Sequence, residues 1–164
     1  MKSAKAFAPG NISCVFVIKK GKNPAKSGSL GLGFTVNKGV FAAIKKINNT
    51  KKYNNKKFNN KIINEKNIKN KIYYNNKKIN LPTVNSVIEK LTDEKVIVNI
   101  KSELPLGSGF GISGASAIAT AYALNKLLNL KESKKALAMT AHVAEVENQT
   151  GLGDVVNQYY GGFL

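Results

Sequence analysis

From Pro105 to Ala117 the chain reads Pro-Leu-Gly-Ser-Gly-Phe-Gly-Ile-Ser-Gly-Ala-Ser-Ala. Four glycines and the serines at 108 and 113 stand between a strand-like run and an alanine-rich helical run. Glycine lets the main chain come close to a ligand and adopt positive φ. The free N–H groups and the dipole of the helix that follows favour an anion. The chemistry this stretch suits is therefore the cradling of a nucleotide phosphate.

Three kinds of phosphate loop compete on the residues alone. A Walker A loop needs Gly-x4-Gly-Lys-Ser/Thr, and no lysine follows Gly114. Gly109-Phe-Gly-Ile-Ser-Gly114 fits the letters of the dinucleotide fingerprint, with Glu132 18 residues beyond Gly114. The acid of that fingerprint should follow a strand, whereas Glu132 stands at a helix start. The third kind is a phosphate loop without lysine at the head of a helix.

The elements around the loop read as follows. Residues 4–18 suggest two strand pieces broken at Pro9-Gly10. Residues 26–33 form a glycine-rich loop, and Asn37-Lys-Gly39 is a hairpin turn signal between Phe34-Thr-Val and Val40-Phe-Ala-Ala-Ile. Residues 48–80 contain 10 Lys and 12 Asn in 33 positions and read as weak strands or a surface insertion. Val84, Val87, Ile88 and Leu91 fall on one face of a short helix over 83–91. Residues 95–101 read as a strand, 115–130 and 132–148 as helices. Asp154 fits as the N-cap of a third helix through Tyr160. Gly161-Gly-Phe-Leu164 reads as the entry to another strand. Strands first, then strand–loop–helix, then helices make an α+β class.

The composition sets the frame. The chain has 164 residues and a net charge of +17, carried by 26 lysines with no arginine. Arginine is the usual residue for bidentate phosphate and base-edge contacts. The lysines therefore read as solvated surface charge that steers anionic substrates, and nucleic-acid binding is the alternative. The lone cysteine, Cys14, reads as a buried thiol and the chain as cytoplasmic. No apolar run reaches membrane-spanning length and the first residues form no signal peptide. His142 reads as a packed or surface histidine, Tyr159 and Tyr160 as core. Glu145 and Glu147 are two apart and face different ways on a helix.

Three segments, in order, resemble the GHMP kinases, which phosphorylate small-molecule hydroxyls with ATP. Pro105-x3-Gly-Phe-Gly-Ile-Ser-Gly-Ala115 is similar to their Pro-x3-Gly-Leu-Gly-Ser-Ser-Ala-Ala loop, with Phe110, Ile112 and Gly114 as departures. Ala8-Pro9-Gly10-Asn11 resembles their first motif, with Asn11 in place of a basic residue. Glu147-Asn-Gln-Thr-Gly-Leu-Gly-Asp154 followed by Gly161-Gly162 resembles their later segment. Ala6-Phe-Ala-Pro-Gly10, Ser27 to Thr35, Asn37 to Val40 and Ala144 to Val155 are most similar to the branch acting on pantoate.

The resemblance implies an N-terminal GHMP domain, similar to the second domain of ribosomal protein S5. Pro105, Gly107, Ser108, Gly109, Phe110, Gly111, Ile112, Ser113, Gly114 and Ala115 would bind ATP. Ser113 and Glu147 would hold Mg2+, with Glu145 second, and Asp154 would take the proton of the substrate hydroxyl. Asn11, Ser29, Gly31 and Gly33, with Lys5, are candidate contacts to pantoate. It further implies a second, C-terminal domain not in this chain, and relatives that are commonly homodimers. Homoserine, shikimate and mevalonate are the competing acceptors within the family, and a basic nucleic-acid-binding module and a dinucleotide oxidoreductase are the alternatives from other classes.

Overall fold

The computed structural model describes residues 2–47 and 69–163. Among these residues, five strands make one mixed sheet in the order β1-β2-β5-β3-β4. Strand β1 (Ala4–Lys19) and β2 (Gly28–Lys46) form a long antiparallel hairpin, and β2 pairs antiparallel with β5 (Val96–Ser102). Strand β3 (Lys71–Tyr74) pairs parallel with β5, and β4 (Lys77–Lys78) returns antiparallel to β3. Helix α1 (Pro82–Leu91) makes the crossover that the parallel β3–β5 pair requires.

The core forms where the sheet meets α2 (Ile112–Leu128). Val96, Val98 and Ile100 alternate inward along β5, with Val98 opposite Ile44 and Ile100 opposite Ala42 of β2, and Val40 is buried on the same strand. Burial of each branched side chain contributes about 1.5–3 kcal/mol. Helix α2 is buried on nearly every side, from Ala115 to Leu127. Its alanines allow the sheet and the helices α1, α3 (Lys134–Glu147) and α4 (Asp154–Tyr160) to pack closely around it. A helix with no polar face is expected at the centre of such a layer.

Several expectations are corrected. Residues 4–18 form one strand rather than two. Its pairing shifts register at Pro9/Gly10, where Pro9 faces Gly39 and Gly10 faces Val36. Asn37 and Lys38 are the extra residues of that β-bulge, so the hairpin signal there marks an irregularity within β2 and not a turn. The real turn lies at 20–27, where a 3-10 turn (Pro24–Lys26) is capped by Asn23 Oδ1 accepting from Lys26 N at 3.0 Å. The glycine-rich stretch 26–33 is largely strand: Gly31 faces Phe16 and Gly33 faces Ser13 on β1.

Within the Lys/Asn-rich stretch, residues 71–78 join the sheet, with Ile72 buried in the core. The remainder, 48–68, lies outside the described residues. Cys14 is exposed, at the second register shift of β1. Tyr160 is also exposed, at 67%. Phe163 bridges to Phe34 of β2, and Gly162 O accepts from Thr35 N at 2.9 Å. No helix among the described residues is long and apolar enough to cross a membrane.

Candidate functional site

The loop between β5 and α2 carries the site. Gly107, Gly109 and Gly111 all have positive φ, and Gly111 (φ 59°) is the N-cap of α2. The turn leaves the first N–H groups of α2 without partners in the helix. Two bonds fasten its base: Asn11 N–H donates to Phe110 O at 2.9 Å, and Gln158 Nε2 donates to Gly111 O at 2.7 Å. Pro105, Gly107, Ser108 and Gly109 are exposed, and Phe110 packs against the core. Ile112 is buried, and Ala115 is 0% exposed with its N–H donated to Gly111 O at 3.0 Å, so the expectation that Ala115 touches the nucleotide is corrected. The loop is thus an exposed, backbone-rich arc at the head of a fixed helix.

Gly114 serves a different purpose from the loop glycines. A Cβ there would lie 3.0 Å from Glu145 Oε2 and 2.8 Å from Gln158 Oε1. The missing side chain makes room for two buried oxygens, and neither has a hydrogen-bond partner among the described residues. Glu145 is 1% exposed. Its Oε1 accepts from Thr150 Oγ1 at 3.1 Å. Thr150 meets Thr83 of α1 at 2.8 Å, and Ser113 Oγ donates to Thr83 Oγ1 at 3.4 Å. Burial pushes the Glu145 carboxyl up to about 7, against the lowering effect of the nearby Ser113 hydroxyl; Asp154 raises it further.

Glu147 is the correction here. Two residues along a helix is a rotation of about 200°, and Glu147 points outward to Lys90, 2.8 Å away. The carboxylate that faces Ser113 is Glu145. A buried, orphaned carboxylate oxygen beside a serine hydroxyl suits a hard cation. Magnesium is commonly held by one or two carboxylates together with substrate phosphates and water. The donor set therefore fits Mg2+.

Asp154 opens α4, where the N-cap is Gly153, so the expectation that Asp154 caps that helix is corrected. Its carboxylate reaches across to β1 instead. Oδ1 accepts from Asn11 Nδ2 at 2.6 Å and from Ser13 Oγ at 3.0 Å. Asp154 lines a cleft of about 570 Å³ with Gly109, Gly111, Gly151, Gly153, Ser13, Ser29 and the apolar Phe16, Ile18 and Leu152. The loop and Asp154 thus face one space.

Of the four candidate substrate contacts, Ser29 lines this cleft. Asn11 does not: it is buried behind Asp154 and bonded on both sides of its amide. Gly31 and Gly33 belong to the β1–β2 ladder and are absent from the cleft lining. Lys5 stacks its ammonium over the Phe41 ring at 4.2 Å. His142 is buried, with Nε2 2.7 Å from Ser27 O. Ser13, Thr83, Thr150 and Gln158 carry no local motif in the sequence. Their signal is spacing relative to residues far away in the chain, which only the register of β1 and the packing of α1 and α4 supply.

The family model for the GHMP kinases N terminal domain matches residues 79–162. Pantoate kinase of Methanocaldococcus jannaschii is 40% identical over 163 residues, spanning 96% of this chain and 51% of that protein. Pantoate kinase of Methanospirillum hungatei is 31% identical over 167 residues, spanning 97% of this chain and 51% of that protein. A solved phosphotransferase related to the coenzyme A biosynthesis pathway superposes with a TM-score of 0.79 at 28% identity. The match covers 98% of this chain and 51% of that one. The chain spans about half the length of the curated relatives it matches.

Proposed function

The chain belongs to the GHMP kinase family, and on that premise we propose that it carries the nucleotide-binding half of an ATP-dependent pantoate kinase. The product is 4-phosphopantoate, a precursor of coenzyme A. The relatives' greater length supports a second domain, beyond these residues, that completes the cleft. The observation that carries the reading is the pairing of a positioned carboxylate, Asp154, with the exposed glycine arc across one cleft.

In this reading the arc from Gly107 to Ser113 holds the ATP phosphates through its main-chain N–H groups. Asp154 accepts the proton of the substrate's primary hydroxyl. The alcohol oxygen bonds to the γ-phosphorus as the bond to the β,γ-bridging oxygen breaks, releasing ADP. Little covalent help is needed, because positioning and charge neutralisation dominate phosphoryl transfer. Ser113 and Glu145 are the residues that would hold Mg2+, which when bound neutralises phosphate charge. Phe16, Ile18 and Leu152 give the cleft an apolar wall beside the hydroxyls of Ser13 and Ser29. That lining suits a small, branched hydroxy acid.

Asp154→Asn keeps the shape of the side chain and removes the base. Its turnover should fall by about 10²–10⁴-fold, the usual contribution of a general base, while Mg-ATP still binds. Retention of parental turnover would rule out the proposed base.

A further inference from the structure

Asn11 is a buried polar residue beside the cleft with both amide atoms bonded, and the function proposed above gives it no role. It is 0% exposed. Its Nδ2 donates to Asp154 Oδ1 at 2.6 Å and to Ser13 Oγ at 3.2 Å. Its Oδ1 accepts from Asn157 Nδ2 at 3.0 Å. Its main-chain N–H donates to Phe110 O in the glycine arc at 2.9 Å. One residue therefore ties together β1, the phosphate loop and α4.

The direction of this relay follows from chemistry. An ionised carboxylate only accepts hydrogen bonds. Asn11 must therefore turn its NH2 toward Asp154, which leaves its carbonyl toward α4. Asn157 must then present its own NH2 to that carbonyl. Both bonds from β1, those of Asn11 and Ser13, land on the same oxygen of Asp154. Among the described residues no hydrogen bond engages the other oxygen, Oδ2, and Asp154 lines the cleft.

We propose that Asn11, backed by Asn157, is a positioning residue for phosphoryl transfer. It holds Asp154 by Oδ1 so that Oδ2 receives the substrate proton, and through its backbone it fixes the distance from that oxygen to the phosphate arc. Such a hold acts on the transition state more than on nucleotide binding, because the bonds are already made before ATP enters. The inference rests on the kinase reading of the same cleft.

Asn11→Asp is nearly isosteric and keeps an acceptor toward Asn157. It places an oxygen where Asp154 Oδ1 now finds a donor. Asn157→Asp tests the relay from outside: it removes the donor to Asn11, favours a flipped Asn11 amide, and has no bond to Asp154 itself. Both variants are to be made in the full-length protein and assayed for ADP release against the parent, with KM for ATP measured separately.

In Asn11→Asp, kcat should fall by about 100-fold or more, and in Asn157→Asp by about tenfold, with KM for ATP within about threefold of the parent in both. Restoring only the shape, as in Asn11→Leu, should not recover kcat. A kcat within threefold of the parent in Asn11→Asp would overturn the inference, as would a loss expressed only in KM. If Asn11→Asp does not fold, Asn157→Asp decides by the same two criteria. A parent with no turnover on any acceptor overturns the kinase reading and this inference together. An active parent with unaffected variants overturns this inference alone.

Discussion

At the scale of single residues, the two glutamates of α3 have opposite fates. Glu145 is buried with one oxygen unpartnered, and Glu147 makes a partly exposed pair with Lys90. Exposed pairs of this kind contribute about 0–1 kcal/mol. Glu147→Gln should therefore leave kcat within about twofold. Glu145→Gln should abolish the Mg2+ dependence of ATP binding, read by titration calorimetry with and without the metal. Equal effects of the two substitutions would refute the assignment.

Burial raises the Glu145 carboxyl to about 7 from 4.5. The folded state thus holds a proton that the unfolded chain has released between those values. Stability from this group is present in full below about 4.5 and is lost as pH rises through about 7. In metal-free protein, Tm should fall over that window, and the fall should be smaller in Glu145→Gln. A Tm difference between the two proteins that does not change with pH would contradict the burial of an ionisable carboxyl.

At the scale of elements, the loop and α4 are set against each other by contacts too tight for another residue. At Gly111, φ is 59° and a Cβ would lie 2.9 Å from Gln158 Nε2 and 3.1 Å from the Asp154 carboxyl carbon. At Gly107, φ is 79° but nothing lies within 4 Å. Gly107→Ala should then cost only the left-handed backbone penalty, about 1–2 kcal/mol. Gly111→Ala should cost more and displace Asp154 as well. Thermal melts with parallel kcat measurements check this, and identical effects at the two sites would contradict it.

The same comparison shows what the chain made legible. The glycine arc, helices α1 to α3 and strand β5 follow from local pattern, because periodicity and helix signals act within a few residues. The Asn37-Lys-Gly39 signal misled because the same residue types serve a bulge as well as a turn. The glycines of 28–33 misled because they permit close β1–β2 pairing instead of a loop: a Cβ at Gly31 would strike Val15 O. Proximity to the glycine turn favours Glu147 in the sequence, whereas the fold places Glu145 beside Gly114. Helix phase decides which carboxylate faces α2, and it can be settled only once the buried side of α3 is known.

At the scale of the whole molecule, the proposed function would use the charge of +17 as a field that steers anions. The cleft lining contains the carboxylate of Asp154 and no lysine, so any lysine contribution to attracting the proposed anionic substrates would act from outside the cleft. Such steering is screened over about 10 Å at 0.1 M salt. The ratio kcat/KM for ATP should fall as salt rises from 20 to about 300 mM, with kcat little changed. A salt-independent ratio would count against steering, and tight, salt-sensitive RNA binding without turnover would favour a nucleic-acid role.

The β1–β2 hairpin also exposes Val15, Phe16, Val17, Ile18, Leu30 and Leu32 beyond the helices, and the nearest of these form the apolar wall of the cleft. Acceptor choice is therefore the property that joins the fold, the wall and the proposed base. The most direct measurement is ADP release from Mg-ATP by the full-length protein with pantoate, homoserine, shikimate and mevalonate in parallel, with Asp154→Asn as the control. Release with pantoate alone, lost in the substituted protein, is the predicted result; release with another acceptor in preference, or silence with all four, would contradict it.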